Sequence, residues 1–151
     1  MNIVLNRILV PTDLSAESWA AVRYGVALAE KFGASLHVLH VLDAVPGVDP
    51  LNPELLPARI QAERKAEASA WDALNRIRES EERRLRRPVL ALEWGTPAVE
   101  ITRYAKTHAI ELIAMSSGRN GHGLDVITHV VRDAPCPVLT LYQPERDFVR
   151  P

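Results

Sequence analysis

The chain has 151 residues, 47% of them apolar and 25% charged, with a formal net charge of −1. That is the length of one domain with a real core. Near-neutrality argues against gripping nucleic acid or anionic lipid through bulk charge. No apolar run approaches the roughly 18–20 residues that span a bilayer, and the N-terminus lacks the pattern of a secretion signal. The single cysteine, Cys136, cannot close an internal disulfide, which suits a reducing cytoplasm.

Strand and helix patterns alternate along the chain. Residues 7–11 read as a first buried strand, and residues 15–32 as a helix with Ser15 as its N-cap, Ala20, Tyr24, Ala27 and Leu28 at helical spacing, and Gly33 closing it. Residues 35–43 read as a second strand. Residues 44–57 carry Pro46, Gly47, Pro50, Pro53 and Pro57, a loop composition. A long polar helix is predicted from about Pro57 to Leu85, with Ile60, Trp71, Leu74 and Ile77 as its sparse apolar stripe. Pro88 to Trp94 reads as a third strand. Thr96 and Pro97 are suited to the N-cap and N1 positions of the next helix. Ile110 to Met115 is a fourth strand, Leu124 to Asp133 a short helix, and Cys136 to Tyr142 a fifth strand. Five strands alternating with four helices predict a single-domain α/β fold, residues 1–151, built on a doubly wound parallel sheet with helices on both faces.

In such sheets ligands sit outside the carboxyl ends of the strands. Asp13 follows the first strand at that end. Its carboxylate repels phosphate and attracts donors such as an amino group or ribose hydroxyls; equally, it could cap the first helix. After the fourth strand, Met115-Ser116-Ser117-Gly118-Arg119-Asn120-Gly121-His122-Gly123 is rich in glycine and serine and runs into a helix N-terminus. Such a loop can turn amides toward an anion, with Arg119 as a bidentate phosphate contact, or it can be a connection that binds nothing.

The blocks Ile8-Leu9-Val10-Pro11-Thr12-Asp13-Leu14-Ser15, Ala27-Leu28-Ala29, Phe32-Gly33-Ala34 and Leu39-His40-Val41 resemble the universal stress protein family. So do Gly95-Thr96-Pro97 with Ile101, Glu111-Leu112-Ile113-Ala114-Met115, and Ala134-Pro135-Cys136-Pro137-Val138-Leu139. They fall in the family's order and cover most of the chain. The resemblance implies strand order 3-2-1-4-5 and a pocket for an adenine nucleotide such as ATP. It carries Pro11, Thr12 and Asp13 to the base and ribose side, Val41 to adenine through its backbone, and Met115 to the adenine wall. The family's first loop glycine falls near Ser116 or Ser117, Gly118 or Gly121 can serve as the second, and both glycines pass to the phosphate side.

Here the chain departs from the family's pattern Gly-x2-Gly-x9-Gly-Ser/Thr. No later Gly-Ser or Gly-Thr follows, since the tenth residue after Gly121 is Val131, followed by Arg132. The phosphate-closing half of the site is truncated, so the pocket is expected to bind an adenine nucleotide weakly: adenosine can still enter it, and tight triphosphate binding is not expected. The resemblance also implies a cytoplasmic, dimeric binding or signalling module of the stress response rather than an enzyme, paired through the apolar, uncharged strand Val138 to Tyr142. No catalytic constellation is evident. An adenylyl-transferring enzyme would carry His-x-Gly-His or Ser-Gly-Gly-x-Asp-Ser, a phospho-receiver an aspartate in place of Trp94-Gly95, and a flavin carrier a hydroxyl-rich first loop. His37 and His40 lie three apart on a strand and face opposite ways, His122 and His129 lack zinc spacing, and no metal site is expected. Arg83, Arg84, Arg86 and Arg87 follow Glu79, Glu81 and Glu82, which reads as a solvated helix end rather than a nucleic-acid patch.

Overall fold

The structure is a computed structural model that describes residues 2–43, 49, 51–81, 88–116 and 123–141. In chain order the elements are β1 (Arg7–Pro11), α1 (Ser18–Phe32), β2 (Ser35–Leu42), a 3-10 turn (Pro53–Leu55), α2 (Leu56–Glu81), β3 (Val89–Trp94), α3 (Pro97–Thr107), β4 (Leu112–Ser116), α4 (Leu124–Asp133) and β5 (Val138–Leu141). The strands form one parallel sheet in the order β3-β2-β1-β4-β5. The predicted fold class is the observed one.

Alternate residues along the strands feed two cores. Ile8, Val10, Leu36, Val38 and Ala114 meet α1 and α2 through Ala21, Val22, Val26, Leu74 and Ile77. Leu9, Leu39, Ile113 and Met115 meet α3 and α4 through Ile101, Tyr104, Ala105 and Val130. A strand covered on both faces must be apolar at every position, and the Ile8-Leu9-Val10 and Ile113-Ala114-Met115 runs are fully buried. β1 and β4, at the centre, therefore carry the site end of the sheet. At their other end the Glu111 carboxylate accepts from the amides of Asn6 and Arg7, stapling the entrances of β1 and β4 together.

Several expected boundaries shift for local reasons. α1 begins at Ser18, with Glu17 at the N-cap position and no side-chain cap there. Ser15 still helps, because its Oγ accepts the Ser18 amide at 3.2 Å, but it does so from within a turn before the helix. The buried stripe of α1 runs through Ala21, Val22, Val26 and Ala29; of the four expected positions only Ala20 is buried. Gly25 faces β1, where an added Cβ would lie 2.4 Å from Val10 Cγ2, so the missing side chain permits the close approach of α1 to the sheet. In α2, Leu74 and Ile77 are buried as expected, whereas Ile60 is 40% and Trp71 39% exposed; Ala70 completes the stripe instead. Thr96 occupies the N-cap position of α3 and Pro97 its first turn, but the threonine side chain makes no capping bond. β4 starts at Leu112, after a turn with Ala109 at φ 49°. β5 starts at Val138 because Pro137 lacks a ladder donor; its carbonyl still accepts from Ile113. Tyr142 and the arginines at 83, 84, 86 and 87 lie outside the described residues.

His37 and His40 separate as the strand period requires. His37 is 7% exposed and its Nδ1 lies 2.9 Å from the Tyr104 hydroxyl. Burial lowers its pKa below the ordinary imidazole value, and the nearby charges of His108 and Arg7 push the same way. The folded form holds this ring neutral, whereas the unfolded chain protonates it near pH 6.5. Its stabilising contribution is complete above that pH and is lost as pH falls toward the depressed folded value. Melting curves from about pH 7.5 to about pH 5.5 should show a falling Tm, with a shallower slope in His37→Gln.

Candidate functional site

β1 ends at Pro11, and the chain then turns sharply with Leu14 at φ 65°. Hydroxyls hold this turn. Thr12 Oγ1 accepts the Leu14 amide at 3.0 Å and lies 2.7 Å from Ser18 Oγ, which in turn donates to the Ser15 carbonyl at 2.9 Å. The Asp13 carboxylate accepts twice from Ser15, through the amide at 2.9 Å and the hydroxyl at 2.5 Å. Asp13 is thus the acceptor of a tight Asx turn rather than the cap of α1. Desolvation beside the cavity raises its pKa, but the Ser15 hydroxyl and amide and the Ser18 hydroxyl outweigh this, leaving it below the usual aspartate value. It is a carboxylate at neutral pH. Ser15 uses only part of its acceptor capacity, so it can accept further donors.

The first and fourth strands diverge around a cavity of about 150 Å³ lined by Pro11, Thr12, Asp13, Ser18, Leu39, Val41, Pro97, Ile101, Met115, Ser116, Gly123, Val126 and Ile127. Six of the nine residues singled out from the sequence meet there: Pro11, Thr12, Asp13, Val41, Met115 and Ser116. The other three, Gly118, Arg119 and Gly121, lie outside the described residues. A volume near 150 Å³ accepts one aromatic ring in other apolar cavities, and is below the about 300–1,000 Å³ that encloses a whole drug-sized ligand. The walls are mostly aliphatic, with Leu39, Val41, Ile101, Met115, Val126 and Ile127 around the interior.

Few polar groups at the cavity remain uncommitted. Ser116 Oγ donates to the Glu17 carbonyl at 3.1 Å, and the Thr12 and Ser18 hydroxyls hold each other. The backbone of β2 is different. Thr12 donates to the Leu39 carbonyl on the β1 side, while Gly95 donates to the Leu42 carbonyl on the β3 side. Alternation along the strand turns the amide and carbonyl of Val41 toward β1, just past the last residue of β1 that pairs with β2. One donor and one acceptor therefore stand on the cavity wall in strand geometry. Ser18, Leu39, Pro97, Ile101, Gly123, Val126 and Ile127 also line the cavity, although the sequence alone did not assign them to the site. Gly123 has the clearest signal: it precedes α4 at φ 94°, which favours glycine, and it places that helix N-terminus on the cavity rim. Among the described residues, no group of three His, Cys, Asp or Glu side chains is placed to hold a metal ion.

The sequence profile of the Universal stress protein family matches residues 5–141. The chain belongs to the universal stress protein family. This universal stress protein is 27% identical over 158 aligned positions to universal stress protein MJ0531 of Methanocaldococcus jannaschii, covering 93% of this chain and 84% of that one. Its fold matches that of universal stress protein UspA from Lactobacillus plantarum with a TM-score of 0.82 at 27% identity, over 93% of this chain and 100% of the other. A universal stress protein family member from Arabidopsis thaliana, solved with AMP bound, matches at a TM-score of 0.65 and 15% identity, over 95% and 96% of the two chains. At that identity the likeness is one of fold.

Proposed function

We propose that this universal stress protein binds an adenine nucleoside or its monophosphate between β1 and β4, and acts as a binding or signalling module rather than as an enzyme. The observation that carries this reading is the convergence of Asp13, Val41 and Met115 on one aliphatic cavity sized for a ring. Adenine presents an acceptor and a donor along one edge, which complement the amide and carbonyl of Val41. Asp13 suits ribose hydroxyls, and the mouth at Ser116 and Gly123 leaves phosphates outside the cavity. The α4 N-terminus favours an anion there, but Asp125 in its first turn opposes one. AMP bound to the Arabidopsis thaliana relative supports the same ligand class.

The missing Gly-Ser or Gly-Thr leaves the outer phosphates without their usual partner, so ATP gains little over AMP. Isothermal titration with adenosine, AMP and ATP tests this. Adenosine and AMP should bind, with ATP within about tenfold of AMP. ATP binding far tighter than AMP would refute the truncated-loop account, and no binding by any of the three would refute the nucleotide reading. A homodimer through the edge strand β5 belongs to the same proposal, supported by the exposed Leu139 and by the edge position of that strand. So does a cytoplasmic location, supported by the lone cysteine. Among the described residues no helix is long and apolar enough to cross a membrane.

A further inference from the structure

The backbone at the base of the cavity is set by a residue that does not line it. His40 Nδ1 lies 2.8 Å from the Thr12 carbonyl. A carbonyl only accepts, so Nδ1 carries the hydrogen and the ring is the donor. That carbonyl is the acceptor that a continuing ladder would offer to the next amide on β2. The ladder's last rung is Thr12 N to Leu39 O at 2.8 Å, and the following rung would run from Val41 N to Thr12 O. No such bond forms among the described residues.

We infer that His40 is a positioning residue: by occupying the Thr12 carbonyl, it ends the β1–β2 ladder one rung early and keeps the Val41 amide available to a base. The inference rests on the nucleotide reading for its purpose, but not for its geometry. An aliphatic residue at position 40 leaves the Thr12 carbonyl without its donor. A buried carbonyl without a partner is costly, and the nearest unused donor on β2 is the Val41 amide. Closing that rung satisfies both groups and takes from the cavity the donor that adenine requires. His40 thereby affects base recognition without touching the ligand, while Asp13 on the opposite side keeps its own bonds to Ser15.

Hydrogen exchange of the Val41 amide, followed by NMR in the unliganded protein, tests the geometry directly. That amide should exchange rapidly in the unaltered protein and at least about tenfold more slowly in His40→Leu. His40→Asn places an amide donor near the position of Nδ1 and should restore rapid exchange, which a merely structural role for the ring would not require. Adenosine affinity should fall about tenfold in His40→Leu and recover in His40→Asn, the weight of one hydrogen bond, while ribose 5-phosphate, which has no base, should bind all three proteins alike. A Val41 amide already protected in the unaltered protein, or one as fast in His40→Leu as before, would overturn the inference. Failure of the unaltered protein to bind adenosine would overturn the nucleotide reading alone, since the exchange rates decide the role of His40 by themselves.

Discussion

Truncating Leu74 to alanine lowers the stability of the fold by about 2–5 kcal/mol, seen as a Tm about 4–20 °C lower. Leu74 is wholly buried, and with Ala70 and Ile77 it forms the buried apolar stripe by which α2 rests on the sheet. The rest of that helix is mostly polar or partly exposed, and the substitution removes three side-chain carbons from a wholly buried position, leaving a cavity behind. Ile60 provides the contrast. It lies on the same helix but is 40% exposed, and Ile60→Ala should cost well under half as much. Thermal melts of the two variants side by side read the difference. Equal losses would mean that α2 docks as much through its first half as through its second, contrary to the burial of Leu74 and the exposure of Ile60.

Replacing Asp13 reduces ribonucleoside affinity more than any other single change at the cavity. A hydrogen bond to a charged group contributes about 1.5–3 kcal/mol, so Asp13→Ala should weaken adenosine binding about 10- to 100-fold. The carboxylate also holds the turn through Ser15, and Asp13→Asn separates the two roles. Asparagine keeps an acceptor for the Ser15 amide and loses the charge offered to ribose. Its affinity for adenosine should fall about tenfold while its Tm stays close to that of the unaltered protein. Free adenine, which has no ribose, should bind both variants as before. Titration calorimetry with adenosine and adenine makes the comparison, and equal losses for the two ligands would place Asp13 on the base instead.

The architecture was legible because strand and helix patterns alternate cleanly and because doubly buried strands must be apolar throughout. Ile8-Leu9-Val10 and Ile113-Ala114-Met115 announced the two central strands, and the ligand rule for such sheets then pointed to Asp13 and Ser116. Helix faces were harder. α1 is so rich in alanine and valine that several stripes fit helical spacing, and the choice among them rests on Gly25 meeting Val10 across a gap with no room for a Cβ. Trp71 in α2 is large and apolar, yet it lies partly on the outer face, while small Ala70 is inside. Volume at the contact decided this, and hydropathy alone carries no information about it.

The site was partly legible for a related reason. Asp13 and Met115 are marked by their position at strand ends, but Ile101, Val126 and Ile127 reach the cavity only because α3 and α4 pack over one face. Nothing local in the chain distinguishes them from other core residues. The double part of Asp13, turn acceptor and cavity wall, was open in the sequence because Ser15 two residues on suits either arrangement. The φ of 65° at Leu14 and the two bonds from Ser15 decide it in favour of the turn, with the carboxylate still on the cavity.

An NMR titration with AMP, followed on the backbone amides, probes the claim on which the rest depends: that the cavity between β1 and β4 receives the base and ribose. Saturable shifts centred on Thr12, Asp13, Val41, Met115 and Gly123 are the expected outcome. Shifts absent at those amides, or centred instead on the outer groove at Val99, Thr102, Arg103 and Lys106, would contradict it.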